Sequence, residues 1–198
     1  MQTGNFQNHE ALKAESITVR FEGLTAIDDV DIMVQEQEIL GLIGPNGAGK
    51  TTLINVLTGF QSSEGGAISL KGMAVTGMSP HRLARLGIAR TFQSGRLFRG
   101  MTALENVEVG AIGMGLNRRE ARKTAKQILE WLGLSEKAEI LAESLPYGHE
   151  RKIGIARALS MRPRFLMLDE QGAGINELEA DQLMHTIGKI RDEFRCAV

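Results

Sequence analysis

Apolar and polar positions first alternate at Ile17, Val19 and Phe21, the period-two pattern of a strand with one covered face. Gly23 turns the chain toward a second strand around Ile32 to Val34, and Gln35-Glu36-Gln37 makes a polar turn. The mostly apolar run Glu38-Ile39-Leu40-Gly41-Leu42-Ile43 predicts a strand buried on both faces. Leu53-Ile54-Asn55-Val56-Leu57 reads as a helix, and Ala67-Ile68-Ser69-Leu70 as a short strand after the Gly65-Gly66 break. Ser79-Pro80 opens a further helix, a hydroxyl cap followed by proline at the first helical position. It leads into Gly87–Gln93, a strand ending in a glutamine.

From Ser94 the period changes to that of helices. Thr102 and Glu105 have the spacing of a capping box, and Ala121, Ala125, Ile128 and Leu132 mark one face of the next helix, ended by Gly133. A third helix runs through Ile153 to Leu159 and stops near Arg162-Pro163. Phe165-Leu166-Met167-Leu168 restores a buried strand closed by Asp169-Glu170. Asn176 and Glu179 suggest another cap pair, before a helix face of Leu183, Ile187, Ile190 and Phe194. Cys196-Ala197-Val198 begins one more strand. Strands alternating with helices predict an α/β fold, interrupted between about 94 and 160 by a wholly helical segment.

Composition works mainly by exclusion. The 198 residues suffice for one full-sized domain, and 42% hydrophobic with 24% charged residues is ordinary for a globular protein. A net charge of -1 carries no nucleic-acid footprint. The single cysteine, Cys196, allows no disulfide within the chain, which suits a reducing cytosol. The polar start from Met1 to Glu15 has no signal-peptide core, and no apolar run approaches the roughly 18 residues of a membrane helix. Work at a membrane would have to pass through a partner. The nine methionines form no helical stripe and are expected to fill the core.

The chemistry concentrates at Gly44-Pro45-Asn46-Gly47-Ala48-Gly49-Lys50-Thr51-Thr52, which fits the phosphate-loop pattern G-x-x-x-x-G-K-[ST] between a predicted strand and a predicted helix. Glycines at 44, 47 and 49 allow the tight turn that aims backbone N–H groups of the loop, from Asn46 to Thr52, at phosphate oxygens. Lys50 would reach the β- and γ-phosphates and the Thr51 hydroxyl would ligate Mg²⁺. Four apolar residues before Asp169-Glu170 make the acidic counterpart. Asp169 is the expected Mg²⁺ holder, and Glu170 is placed to polarise water for attack on the γ-phosphate.

With these motifs in place, the chain from about residue 14 resembles the ATP-binding-cassette (ABC) family. Leu145-Pro146-Tyr147-Gly148-His149 and the helix after it align with that family's signature motif, Gln93 with its Q-loop glutamine and Ala173-Gly174-Ile175-Asn176 with its D-loop. Gly23-Leu24-Thr25-Ala26, Thr91-Phe92-Gln93 with Arg96-Leu97-Phe98, and Leu145 to Gly148 look like the ATPase subunits of branched-chain amino acid importers. The resemblance implies a P-loop NTPase with a RecA-like core sheet, an antiparallel β edge and a helical ABC subdomain at about 94–160. It implies Glu170 and Gln93 as catalytic residues, with Gln93 joining Thr51 and Asp169 as metal ligands. Phe21 falls where an aromatic stacks on adenine, the favoured reading over a core residue on a strand. Ser144, Pro146, Tyr147, Gly148 and His149 would close on ATP bound to a second ATPase subunit, identical or different, in a head-to-tail pair. The pair would drive membrane permease subunits from the cytoplasmic face, supplied indirectly by a periplasmic binding protein. No nucleic-acid partner is implied. Leu97 and Phe98 either belong to the core or line the groove that grips a permease helix.

The chain departs from the family pattern in several places. Pro146 replaces the usual signature serine, leaving the Gly148 N–H and the helix dipole as donors. His149 replaces a common glutamine and reads as an interface residue, and Gln171 stands where proline often follows the catalytic glutamate. The family's switch histidine would follow the strand begun at Cys196. The expected organisation is a flexible stretch at 1–12 and one nucleotide-binding domain at 13–198 lacking its C-terminal part, poorly active alone. Against a GTPase stands the missing Asn-Lys-x-Asp. Against a repair or translation ABC protein stand a single cassette and a short insertion. A non-hydrolysing remnant stays open at this stage.

Overall fold

The computed structural model describes residues 11–92, 96–169 and 177–198. Strands β1 (Ala11–Phe21) and β2 (Leu24–Gln35) form a hairpin, and β1 also pairs antiparallel with β3 (Gly65–Leu70), which carries the short β4 (Met73–Ala74). This gives a four-stranded antiparallel sheet of order β2-β1-β3-β4. β1 starts at Ala11 and both Ala11 and Leu12 are buried, inside the stretch expected to be flexible. Leucine at 12 packs with Ile17, Val19 and Ile68, which holds this end of the strand down.

A second, parallel sheet is built from β5 (Ile88–Arg90) and β6 (Phe165–Met167). Ala197 bridges Phe165 in parallel, and Val198 exchanges backbone bonds of 2.9 Å with Glu38 and Leu40. Successive residues of these strands face opposite layers. Ile88, Phe165 and Ala197 join the core beneath the antiparallel sheet, together with Leu53, Val56 and Leu57 of α1 (Lys50–Leu57). Ala89, Leu166 and Cys196 join the core under the helices.

That helical side comprises α3 (Ala103–Gly113), α4 (Arg118–Trp131) and α5 (Tyr147–Ser160); α2 (Pro80–Arg85) lies earlier, ahead of β5. The Thr102 hydroxyl accepts from the Glu105 N–H while the Glu105 carboxylate accepts from the Thr102 N–H, so the expected capping box starts α3. Asn106 is fully buried and ties the turn before α3 by accepting from the Phe98 N–H at 2.8 Å and donating to the Phe98 and Thr102 carbonyls. α6 (Glu177–Phe194) meets α4 where the Trp131 indole donates to Glu193 at 2.6 Å and packs edge-on against Phe194.

Two expectations need correction. Residues 38–43 are not a strand buried on both faces: Ile39, Leu40 and Leu42 are exposed and Ile43 is 95% exposed. Among the described residues Val198 is this segment's one strand-like neighbour, bonding Glu38 and Leu40, while the Glu38 N–H only closes the turn onto Gln35. Apolar sequence without neighbours on both edges does not become an interior strand. The methionines are not uniformly core filler either, since Met33, Met73, Met101 and Met184 are exposed. Met33 of β2 and Met73 of β4 lie on the two edge strands, Met101 in the loop before α3 and Met184 on α6. The expected cap pair of Asn176 with Glu179 rests on a residue outside the described ones.

Candidate functional site

The loop Gly44–Gly49 leads into α1 with Gly49 as its N-cap at φ 84°. A Cβ at Gly49 would lie 2.5 Å from the Ala26 carbonyl oxygen of β2, so the loop packs too close to the sheet for any other residue. Gly44, Asn46, Gly47 and Ala48 are exposed, while Gly49, Lys50 and Thr52 are half-buried. The first helical hydrogen bond runs from the Leu53 N–H to Gly49 at 2.8 Å, so the N–H groups of the first turn have no intrahelical acceptor. The Lys50 ammonium curls back over the loop and donates to the carbonyls of Gly44 and Pro45 at 2.7 and 2.8 Å. A cation inside a ring of N–H donors is a cradle for a polyanion.

Beside the loop, at the end of β6, the Asp169 carboxylate is held at both oxygens. The Thr51 hydroxyl donates to Oδ1 at 3.1 Å, and Arg90 Nη2 donates to Oδ2 at 2.9 Å. The Arg90 and Asp169 side chains are only 7% and 5% exposed. Arg90 also donates to Asn55 Oδ1 and, from Nε, to the Thr91 carbonyl at 3.2 Å. Its guanidinium stands 4.7 Å from the Phe92 ring centroid and 5.4 Å from that of Phe60, the two rings meeting edge to face. Burial pulls the Arg90 pKa down and the neighbouring carboxylate opposes it. These groups line a cleft of about 530 Å³.

A hydroxyl and one carboxylate are hard oxygen donors of the kind Mg²⁺ takes when substrate phosphates complete its shell. Among the described residues no cluster of three or more His, Cys, Asp and Glu side chains offers a metal cage of protein ligands alone. The donor set therefore fits a nucleotide-borne Mg²⁺.

Of the other predicted residues, Pro146 is the N-cap of α5 and supplies no side-chain acceptor. Ser144, Pro146 and Gly148 are exposed, and Tyr147, 55% exposed, lines the same cleft as Thr51 and Asp169. Arg151 covers the Tyr147 ring at 4.5 Å. Among the described residues the buried His149 Nδ1 has no hydrogen-bond partner. Phe21 is 43% exposed at the end of β1, so it is no core residue. Leu97 packs partly against the helical core, whereas Phe98 is 48% exposed. Gln93, Glu170 and Ala173–Asn176 lie outside the described residues. Arg90 and Asn55 escaped the sequence reading. The available signal was an arginine inside an otherwise apolar strand, which needs a buried anionic partner.

A glycine loop at the head of α1 with a carboxylate facing its first-turn hydroxyl defines a P-loop NTPase fold. The ABC transporter family model matches residues 27–173. The chain is 43% identical to the high-affinity branched-chain amino acid transport ATP-binding protein BraF of Pseudomonas aeruginosa, over 94% of this chain and 79% of that one. It is 40% identical to the high-affinity branched-chain amino acid transport ATP-binding protein LivG of Escherichia coli K12, with the same coverage. The crystal structure of the ADP conformation of an ATP-binding cassette of an ABC transporter superposes with a TM-score of 0.85 at 31% identity, over 95% of this chain and 79% of that one. The chain belongs to the ABC transporter family, and its fold is that of an ABC ATPase cassette.

Proposed function

We propose that this chain is the ATP-binding and ATP-hydrolysing subunit of an ABC importer, powering uptake of branched-chain amino acids or a related small solute through a membrane permease. The observation that carries it is the Thr51–Asp169 contact beside the Lys50 loop, supported by the likeness to BraF and LivG. Lys50 exchanges the Gly44 and Pro45 carbonyls for the β- and γ-phosphates, while the backbone N–H groups from Asn46 to Thr52 hold the remaining oxygens. Phe21 stacks on the adenine. Thr51, Asp169 and Gln93 hold Mg²⁺, which when bound offsets the charge on the transferring phosphoryl group. Glu170 accepts a proton from the attacking water.

In this reading residues 13–198 work as one nucleotide-binding domain with a helical subdomain at about 94–160. The segment Ser144 to His149 closes over ATP held by a second ATPase subunit, head to tail. The pair sits on the inner face of the membrane against its permease, with a periplasmic binding protein delivering solute from the other side. No helix among the described residues is long and apolar enough to cross a membrane. In this reading the path for the solute belongs to the permease.

Lys50→Ala tests the site. Removal of the ammonium from the phosphates is expected to abolish ATP binding measured by titration calorimetry, with the thermal melt unchanged. Near-normal ATP affinity in that variant would refute the assignment.

A further inference from the structure

Arg90 has no part in the roles above, yet it is the most elaborately anchored cation near the loop. It leaves the end of β5 with its guanidinium buried, gives Nη2 to Asp169 Oδ2 at 2.9 Å and Nη1 to Asn55 of α1, and lies over Phe92. Asp169 Oδ1 accepts from the Thr51 hydroxyl at 3.1 Å. The two oxygens of one carboxylate thus have different tasks. A carboxylate rotates easily about its last bond, and only a fixed partner on one oxygen keeps the other pointed at a metal position. A planar guanidinium tied at a second nitrogen is such a partner, since it cannot swing without also breaking the Asn55 bond.

We propose that Arg90 is a positioning residue for the divalent cation: it locks Asp169 Oδ2 so that Oδ1 stays presented beside the Thr51 hydroxyl, with Asn55 keeping the guanidinium in register with α1. The inference rests on the reading of Thr51 and Asp169 as cation holders. A guanidinium so near a dication also repels it. The contact through the far oxygen puts the charge behind the carboxylate, and orientation outweighs the repulsion. A purely structural strut between the ends of β5 and β6 would instead affect folding and nucleotide binding together.

Mn²⁺ is the probe, with free Mn²⁺ read by electron paramagnetic resonance in the full chain saturated with a non-hydrolysable ATP analogue. Arg90→Gln is expected to weaken Mn²⁺ binding by about 10–100-fold. Affinity for the same analogue in EDTA should change far less. Arg90→Lys, which restores charge without the fork, should recover part of the loss, and Asn55→Ala should fall between wild type and Arg90→Gln. Unchanged or tighter Mn²⁺ binding in Arg90→Gln would overturn the proposal, as would an equal loss of metal-free nucleotide affinity. If circular dichroism shows Arg90→Gln unfolded, Asn55→Ala decides, and wild-type Mn²⁺ affinity there refutes the role. Absence of Mn²⁺ binding in the wild-type complex would overturn the Thr51–Asp169 reading itself, a result distinguishable from equal binding in wild type and variant.

Discussion

Cys196 is the chain's one thiol, buried where Leu166 and Ile190 meet, and burial pushes its pKa from 9.0 up to about 12. The unfolded thiol therefore loses its proton first as pH rises. Its contribution to stability is complete below about pH 9 and is lost progressively as pH climbs toward about 12. A thiol-reactive dye at pH 8 is expected to leave the native protein unlabelled and to label it fully in denaturant. Rapid native labelling would mean that the 196–198 segment opens readily. At this scale the motif residues were legible because phosphate and cation chemistry restricts both residue type and spacing: Lys50 folds back over the Gly44 and Pro45 carbonyls, and Thr51 meets Asp169 across 118 residues. Arg90 was not legible, because its meaning depends on Asn55 and Asp169, which are 35 and 79 residues away along the chain.

Between elements, α3 and α5 approach closely at Gly110 of α3. A Cβ there would run into the Ser160 hydroxyl and the Arg157 carbonyl of α5, and that hydroxyl already donates to the Val107 carbonyl at 2.8 Å. Gly110→Ala is expected to destabilise the fold by about 1–3 kcal/mol from overpacking, of which the roughly 1 kcal/mol helix-propensity gain of alanine offsets a part. Gly113 at the end of the same helix has open space around an added Cβ, so Gly113→Ala should keep only the gain. Urea unfolding of both variants separates the effects, and equal midpoints would disprove the close approach. Helix starts were readable because a cap such as Thr102 with Glu105 is a local device, completed within three residues. The segment at 38–43 was not, since burial of a strand is decided by strand neighbours from elsewhere in the chain, here Val198 alone among the described residues.

For the molecule as a whole, the layering puts the phosphate loop and the start of α5 both in reach of solvent. Gly44 to Ala48 are exposed, and so are Pro146, Tyr147 and Gly148. Two solvent-facing half-sites suit a head-to-tail pair in which each loop receives the signature segment of the other subunit. Glu170→Gln tests that arrangement together with the base role. The substitution keeps the size of the side chain and leaves the neighbouring Asp169–Thr51 contact untouched, but an amide does not accept the proton of the attacking water. ATP affinity by calorimetry should be retained. Phosphate release, measured in assembly with the permease, should fall by about 10²–10⁴-fold, the range a positioned general base supplies. With hydrolysis blocked, ATP should hold the subunits together, and light scattering should report a dimer with ATP and a monomer with ADP. Unchanged turnover would remove Glu170 from the base role, and a monomer under saturating ATP would argue against the shared site.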